Sequence, residues 1–184
     1  MIEEIKKDIY RRTGTYKLSF WKYQKLKRLP QIKIVIRKRK IDYYRNRSNI
    51  LCTYHKVVIA RYKTKYGVDL PARLNLGNGF IIEHINGIVI NPLVSIVDNC
   101  NIYNGVTIGL EKRGKRKGVP TIGNEVWIGA NACIVGKINI GNNVLIAPGA
   151  YVNFDVPDNS IVVGNPGKVI HNDRATEVYI SNLV

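Results

Sequence analysis

Three histidines and three cysteines give this 184-residue chain its main scope for proton transfer, nucleophilic attack or metal binding. Cys52, Cys100 and Cys133 are far apart and odd in number, with no Cys-x-x-Cys pair and no Cys/His cluster at metal-ligand spacing. They are expected to be reduced core or surface residues in a reducing compartment. His55 and His171 lack chemical context and read as structural or surface residues. His84 is the one histidine within the periodic part of the chain, which excludes a zinc site of three histidines there. No metal is expected.

The elements that must position these residues divide into two parts. The formal net charge is +16. Residues 1–66 hold 20 Lys/Arg and 4 Asp/Glu, while residues 67–184 hold 9 of each. Taken whole, such a balance points to an anionic partner. Divided, it belongs to the first third alone. There Ile2, Ile5 and Ile9 recur at helical spacing. Further helices are expected over about Ser19 to Leu29, ending at Pro30, and about Asn49 to Tyr66, ending at Gly67. The basic stretch KIVIRKRKIDYYRNR between them has no clear assignment.

Beyond residue 67 the pattern has a period of six. Ile90, Ile96, Ile102 and Ile108 recur, then Ile122, Ile128, Ile134, Ile140, Ile146 and Val152. A second small or branched residue follows each by four, as in Val94, Cys100, Val106 and Ala132. Neither a helix nor a simple strand pair has this period. It predicts a mainly β fold, a left-handed parallel β-helix of about four coils, preceded by a small α-helical segment. Hexad frames extend from Ala72 to Pro157, and one of them places His84 where Ile is otherwise the rule. The interval from Ile108 to Ile122 is eight residues too long, which predicts a loop over 110–119. The expected organisation is a basic helical segment (1–66), a β-helix (67–170) and a C-terminal tail (171–184).

The stretches GVDLPARLNLGNGFIIEHINGIVIN, NCNIYNGVTIG and PTIGNEVWIGANACIVGKINIGNNVLIAPGA, followed by DVPDNSIVVGNPGKVI, resemble serine acetyltransferases and their hexapeptide-repeat relatives. The resemblance implies acetyl-CoA as donor, a hydroxyl as acceptor, and a homotrimer with active sites between subunits. His84 matches the family's catalytic histidine and Asp69 its partner. Such a pair suits acyl transfer: the imidazole takes the proton of the attacking hydroxyl, and a carboxylate on the other ring nitrogen orients it. The fifteen-residue offset, near one coil of eighteen, is expected to stack the two on neighbouring coils. By the same resemblance Glu83 and Asn104 fall among substrate-binding positions. The CoA groove falls near Gly109, Leu110, Gly129, Ala130, Ala147 and Pro148, with Arg113, Lys115 or Lys168 meeting its phosphates.

Two departures bear on the acceptor. Serine acetyltransferases carry an Arg-His pair just before the proline that ends the loop, and that pair holds the amino acid; here Gly118 and Val119 stand there. Glu83 replaces the family's Asp. The expected acceptor is therefore a sugar hydroxyl of a surface polysaccharide or its precursor. The alternative is L-serine, in cysteine biosynthesis. The basic segment is expected to pack on the first coil or to contact an anionic membrane surface peripherally. No nucleic-acid partner is expected, since no such motif accompanies the charge. With no signal peptide and no apolar run near twenty residues, the protein is expected in the cytoplasm or at the inner face of its membrane.

Overall fold

The computed structural model describes residues 2–184; Met1, the first residue of the expected helical segment, lies outside them. Four helices come first: α1 (Glu3–Thr13), α2 (Phe20–Leu26), α3 (Pro30–Tyr44) and α4 (Asn49–Tyr66). The stretch without a sequence assignment is α3. Pro30 opens this helix at its first turn as well as ending the segment before it, because proline's missing N–H and fixed φ suit a helix start. Ser19 caps α2 and Ser48 caps α4, and left-handed Gly14 and Gly67 close α1 and α4.

Short strands then wind into three parallel faces: β1 (Asn75–Leu76), β4 (Ser95–Ile96), β7 (Thr121–Ile122) and β10 (Asn139–Ile140) in order on the first, β2 (Ile81–Ile82), β5 (Asn101–Ile102), β8 (Val126–Ile128), β11 (Val144–Ile146) and β13 (Ser160–Val163) on the second, and β3 (Val89–Ile90), β6 (Thr107–Gly109), β9 (Cys133–Val135) and β12 (Tyr151–Val152) on the third. β14 (Lys168–His171) closes the second face antiparallel to β13. Aliphatic residues stack inside: Ile102, Ile128 and Ile146 in one column, Ile108, Ile134 and Val152 in another, all fully buried. No coil can cover its own ends, so stacking supplies the stability.

Most corners take three residues, the third with positive φ. Asn99, Asn131, Asn143 and Gly149 fill such places, since Asn and Gly tolerate that conformation best. The first coil differs. Asp69 bridges Val89 and Leu76 pairs with Ile96, so neighbouring residues are 20 apart rather than 18. The two extra residues lie in the corner Glu83–Gly87, between the buried pairs Phe80/Ile82 and Ile88/Ile90. The inward frame of the first coil is therefore Leu70, Leu76 and Ile82 rather than Ala72, Asn78 and His84. His84 stands on the exposed lengthened corner, outside the Ile frame.

The helical segment joins the solenoid through one continuous core that includes Ile34, Ile41, Cys52 and Ile59. Buried charges fix its position. Arg39 gives two bonds to the Asp8 carboxylate, at 2.8 and 2.9 Å, and further bonds to the carbonyls of Leu76 and Gly77. Asp8 also accepts the Phe80 backbone N–H at 3.1 Å. Burial pushes the Asp8 carboxyl up, while Arg39 and the backbone donors pull it down. Lys38 is wholly buried and paired with Asp42. Part of the positive excess is thus internal. The last residues run back along the second face: Thr176 bonds Asn143, Ala175 and Ile180 pack on Trp127 and Leu145, and Val184 reaches Asn99.

Removing one partner of a buried ion pair strands the other charge, at a cost of about 3–5 kcal/mol. Asp8→Ala should lose stability on that scale in denaturant unfolding. Glu3→Ala, which breaks the exposed Glu3–Lys6 pair, should lose less than about 1 kcal/mol.

Candidate active site

The lengthened corner gathers the chemistry. Glu83 N–H bonds the Ile102 carbonyl (3.0 Å), which fixes the strand, and the next residue, His84, turns outward. Tyr103, one coil on, sets its ring edge-on to the imidazole, with centroids 5.6 Å apart. Trp127 follows at 4.9 Å from Tyr103, and Tyr179 of the tail at 4.7 Å from Trp127. Four rings thus rise along one edge of the second face from His84. Burial raises the Tyr103 hydroxyl, helped by the negative charge of Glu83 and opposed by the Trp127 hydrogen bond and by Arg12.

Arg12, in the last turn of α1, braces the corner from outside. Its Nη2 donates to the Ile82 carbonyl at 2.7 Å and its Nη1 to Glu83 Oε2 at 3.3 Å. Its neighbour Arg11 is buried deeper, giving bonds to Asn101 Oδ1 (3.1 Å) and to the Ser181 carbonyl. The Arg11 Nε is the one buried side-chain polar atom without a partner among the described residues.

Asp69 does not stack on His84. The 20-residue coil sets it against Val89, and Lys63 Nζ holds its carboxylate at 2.7 Å. Among the described residues no hydrogen bond joins Asp69 to His84. The eighteen-residue expectation failed because the corner carrying the histidine is itself two residues longer. Asp69 still lies at the foot of the face that follows this corner, with Ile90 N–H bonded to its carbonyl.

The residues expected along a CoA groove fall on two corners. Gly129, Ala130, Ala147 and Pro148 stack above Tyr103 and Asn104, through the bonds Asn131 N–H to Asn104 C=O and Gly149 N–H to Ala130 C=O. Gly109 ends β6 (Thr107–Gly109) and Leu110 follows it, at the far end of the next face. A Cβ on Gly129 would meet Pro148 N at 2.6 Å, so this glycine is required by coil stacking. Ala130 is half-buried and Pro148 and Gly149 are exposed, and a Cβ on Gly149 would meet nothing within 4 Å. This side-chain-poor ledge fits a narrow pantetheine arm. Arg113 and Lys115 are exposed in a hairpin closed by reciprocal Glu111–Gly118 backbone bonds of 3.0 Å, and Lys168 is exposed at the start of β14.

Cys100 and Cys133 are held as thiols. Burial pushes the Cys100 thiol up to about 12, and it raises Cys133 as well. Among the described residues no group of three His, Cys, Asp or Glu side chains gathers. Tyr103 and Arg12 were not found from sequence. Tyr103 occupies a corner slot held by Gly129 and Ala147 in later coils, and that contrast was a usable signal. Arg12 lies 71 residues from Glu83 and had none.

Residues 120–153 match the family model described as bacterial transferase hexapeptide (six repeats). A serine acetyltransferase of Helicobacter pylori is 39% identical over 116 residues, 63% of this chain and 67% of that protein. The chain belongs to the hexapeptide-repeat acyltransferase family. Another relative in that family, the serine acetyltransferase of Synechococcus elongatus, is 43% identical over 105 residues, 57% of this chain. The chain spans only 43% of that relative's length. The crystal structure of Neisseria gonorrhoeae serine acetyltransferase in complex with serine superimposes with a TM-score of 0.68 at 31% identity, covering 92% of this chain and 67% of that one. The left-handed β-helix of this hexapeptide-repeat family, preceded by helices, is thus the fold observed. Among the described residues no helix is long and apolar enough to cross a membrane.

His55 lies outside the site. It is buried, its Nδ1 accepts from Arg37 Nη1 at 3.0 Å, and Tyr44 and Tyr54 flank the ring. Burial, then Arg37 and Lys40, lower its pKa. The unfolded chain therefore binds this proton more readily, and stability should fall as pH drops through about 6.5. Thermal melts from pH 8 to pH 5 should show that loss, flattened in His55→Gln.

Proposed function

We propose that this protein is an acetyl-CoA-dependent O-acetyltransferase whose acceptor is L-serine, with His84 as general base. The observation that carries the reading is an exposed imidazole on a lengthened corner beside a side-chain-poor ledge, in a family whose relatives above are serine acetyltransferases. Those relatives favour L-serine over the saccharide acceptor expected from sequence, and they lend no support to a membrane contact.

In this reading His84 takes the proton of the serine hydroxyl as its oxygen attacks the thioester carbonyl. The new C–O bond forms, the C–S bond breaks, and the imidazolium returns its proton to the departing CoA sulfur. Asp69 would orient the ring. Lys63 is no barrier to that: their pair is largely exposed, contributes less than about 1 kcal/mol, and can exchange. The ledge formed by Ala130, Ala147, Pro148 and Gly149 would hold the pantetheine arm, with Arg113, Lys115 or Lys168 meeting phosphate. Gly109 and Leu110 lie one corner away, which suits a groove between subunits of a homotrimer. Exposed Val89, Leu93 and Val97 on the coil exterior suit a subunit contact as well.

One observation favours a second acceptor, a neutral sugar hydroxyl. Gly118 meets Glu111 through backbone alone, and neither it nor Val119 offers a cation. Thiol release from acetyl-CoA, followed with L-serine and with saccharides as acceptors, decides between them. Release that depends on L-serine is expected, and release with saccharide alone would move the acceptor to the second class. His84→Ala should lower kcat/KM about 10²- to 10⁴-fold; unchanged turnover would remove His84 as base.

A further inference from the structure

We propose that Arg12 is the cation that recognises the acceptor's carboxylate, opposite Glu83, whose place among the substrate-binding positions the family resemblance already implies. The proposal rests on the L-serine reading and replaces the Arg-His pair that this chain lacks at Gly118 and Val119. Arg12 is remote in sequence and reaches the site only because Asp8 and Arg39 dock α1 onto the first coil.

Several features of the pair suit a zwitterion. Glu83 is the chain neighbour of the candidate base, and Arg12 grips both Glu83 and the Ile82 carbonyl of the same corner. Their side chains keep 21% and 29% exposure, so a small solute can reach both. They share a single contact of 3.3 Å, although a guanidinium can grip a carboxylate with two parallel bonds. The other bond of Arg12, 2.7 Å to the Ile82 carbonyl, fixes the side chain while leaving donors to spare. Arg11 and Arg39, which dock the same helices, are 2% and 3% exposed, too deep for a solute to reach.

An amino acid presents opposite charges on one carbon. Inserted into the pair, it exchanges one long ion contact for two, and the site stays neutral throughout. The hydroxyl, one carbon further out, is then delivered to a base one residue from Glu83. Arginine suits this task better than lysine, because the planar fork matches a carboxylate.

The test compares L-serine with L-serinamide, which keeps the hydroxyl and ammonium but lacks the carboxylate. Arg12→Ala should raise KM for L-serine about 10- to 100-fold, the effect of losing a charge-assisted bond. Its kcat should stay within a few-fold, and KM for L-serinamide should not change. Arg12→Lys, which keeps the charge without the fork, should recover part of the L-serine affinity. A purely structural brace would instead lower kcat for both acceptors alike and leave their ratio intact, which would overturn the proposal. Should Arg12→Ala fail to fold in a thermal melt, Arg12→Lys and Arg12→Gln carry the same comparison. Wild-type protein that turns over no L-serine would fail the L-serine reading itself. Wild-type turnover with an unchanged acceptor ratio in the variants would fail this inference alone.

Discussion

Each coil is held only by the coils above and below it, through parallel backbone bonds and a stack of buried aliphatic side chains. Everything else depends on that stacking. It requires every coil to close in register, so an extra residue can be accommodated only at a corner. Eight go into the Glu111–Gly118 hairpin and two into the corner Glu83–Gly87. The catalytic candidate stands on the second. A polar imidazole inside the aliphatic column would need a buried partner; on the widened corner it meets solvent instead.

The same stacking leaves the first coil with an open end, and the helical segment covers it. The cover is held by charge as well as apolar contact. Asp8 and Arg39 meet beneath Phe80, and Lys38 meets Asp42 without exposure of its own. The positive excess of residues 1–66 looked like one property of the composition but has two roles. Some cations dock the segment, and Arg12 carries the docking forward to the corner that holds His84.

The two corners that divide the expected CoA residues follow from the triangular section. Residues one hexad apart point along different edges, while residues one coil apart share an edge. Thus Gly129 and Ala147 lie over Tyr103, whereas Gly109 lies over Asn91 and below Val135. A single ligand arm follows one edge of one chain. In the proposed homotrimer, contributions from a second edge would come from another subunit's surface.

The sequence alone determined the period of six and with it the β-helix, since buried aliphatics every sixth residue satisfy no other regular structure. It also determined the loop after Ile108, the charge division at residue 66, and the candidate His84 with its ledge of small residues. It misplaced the frame of the first coil, because 84 is a multiple of six from 90 and nothing local reveals a corner two residues longer. It also led to the expectation that Asp69 and His84 stack on neighbouring coils, where the longer coil sets Asp69 against Val89 and beside Lys63. The assignment of α3 needed the tertiary structure, since its buried residues, Lys38 and Arg39 among them, form no single apolar face and are decided by what covers the helix. Only the tertiary structure brought Arg12 to Glu83 and Tyr103 to His84. Contacts 71 and 19 residues apart arise from coil geometry and helix docking, and no spacing rule encodes them.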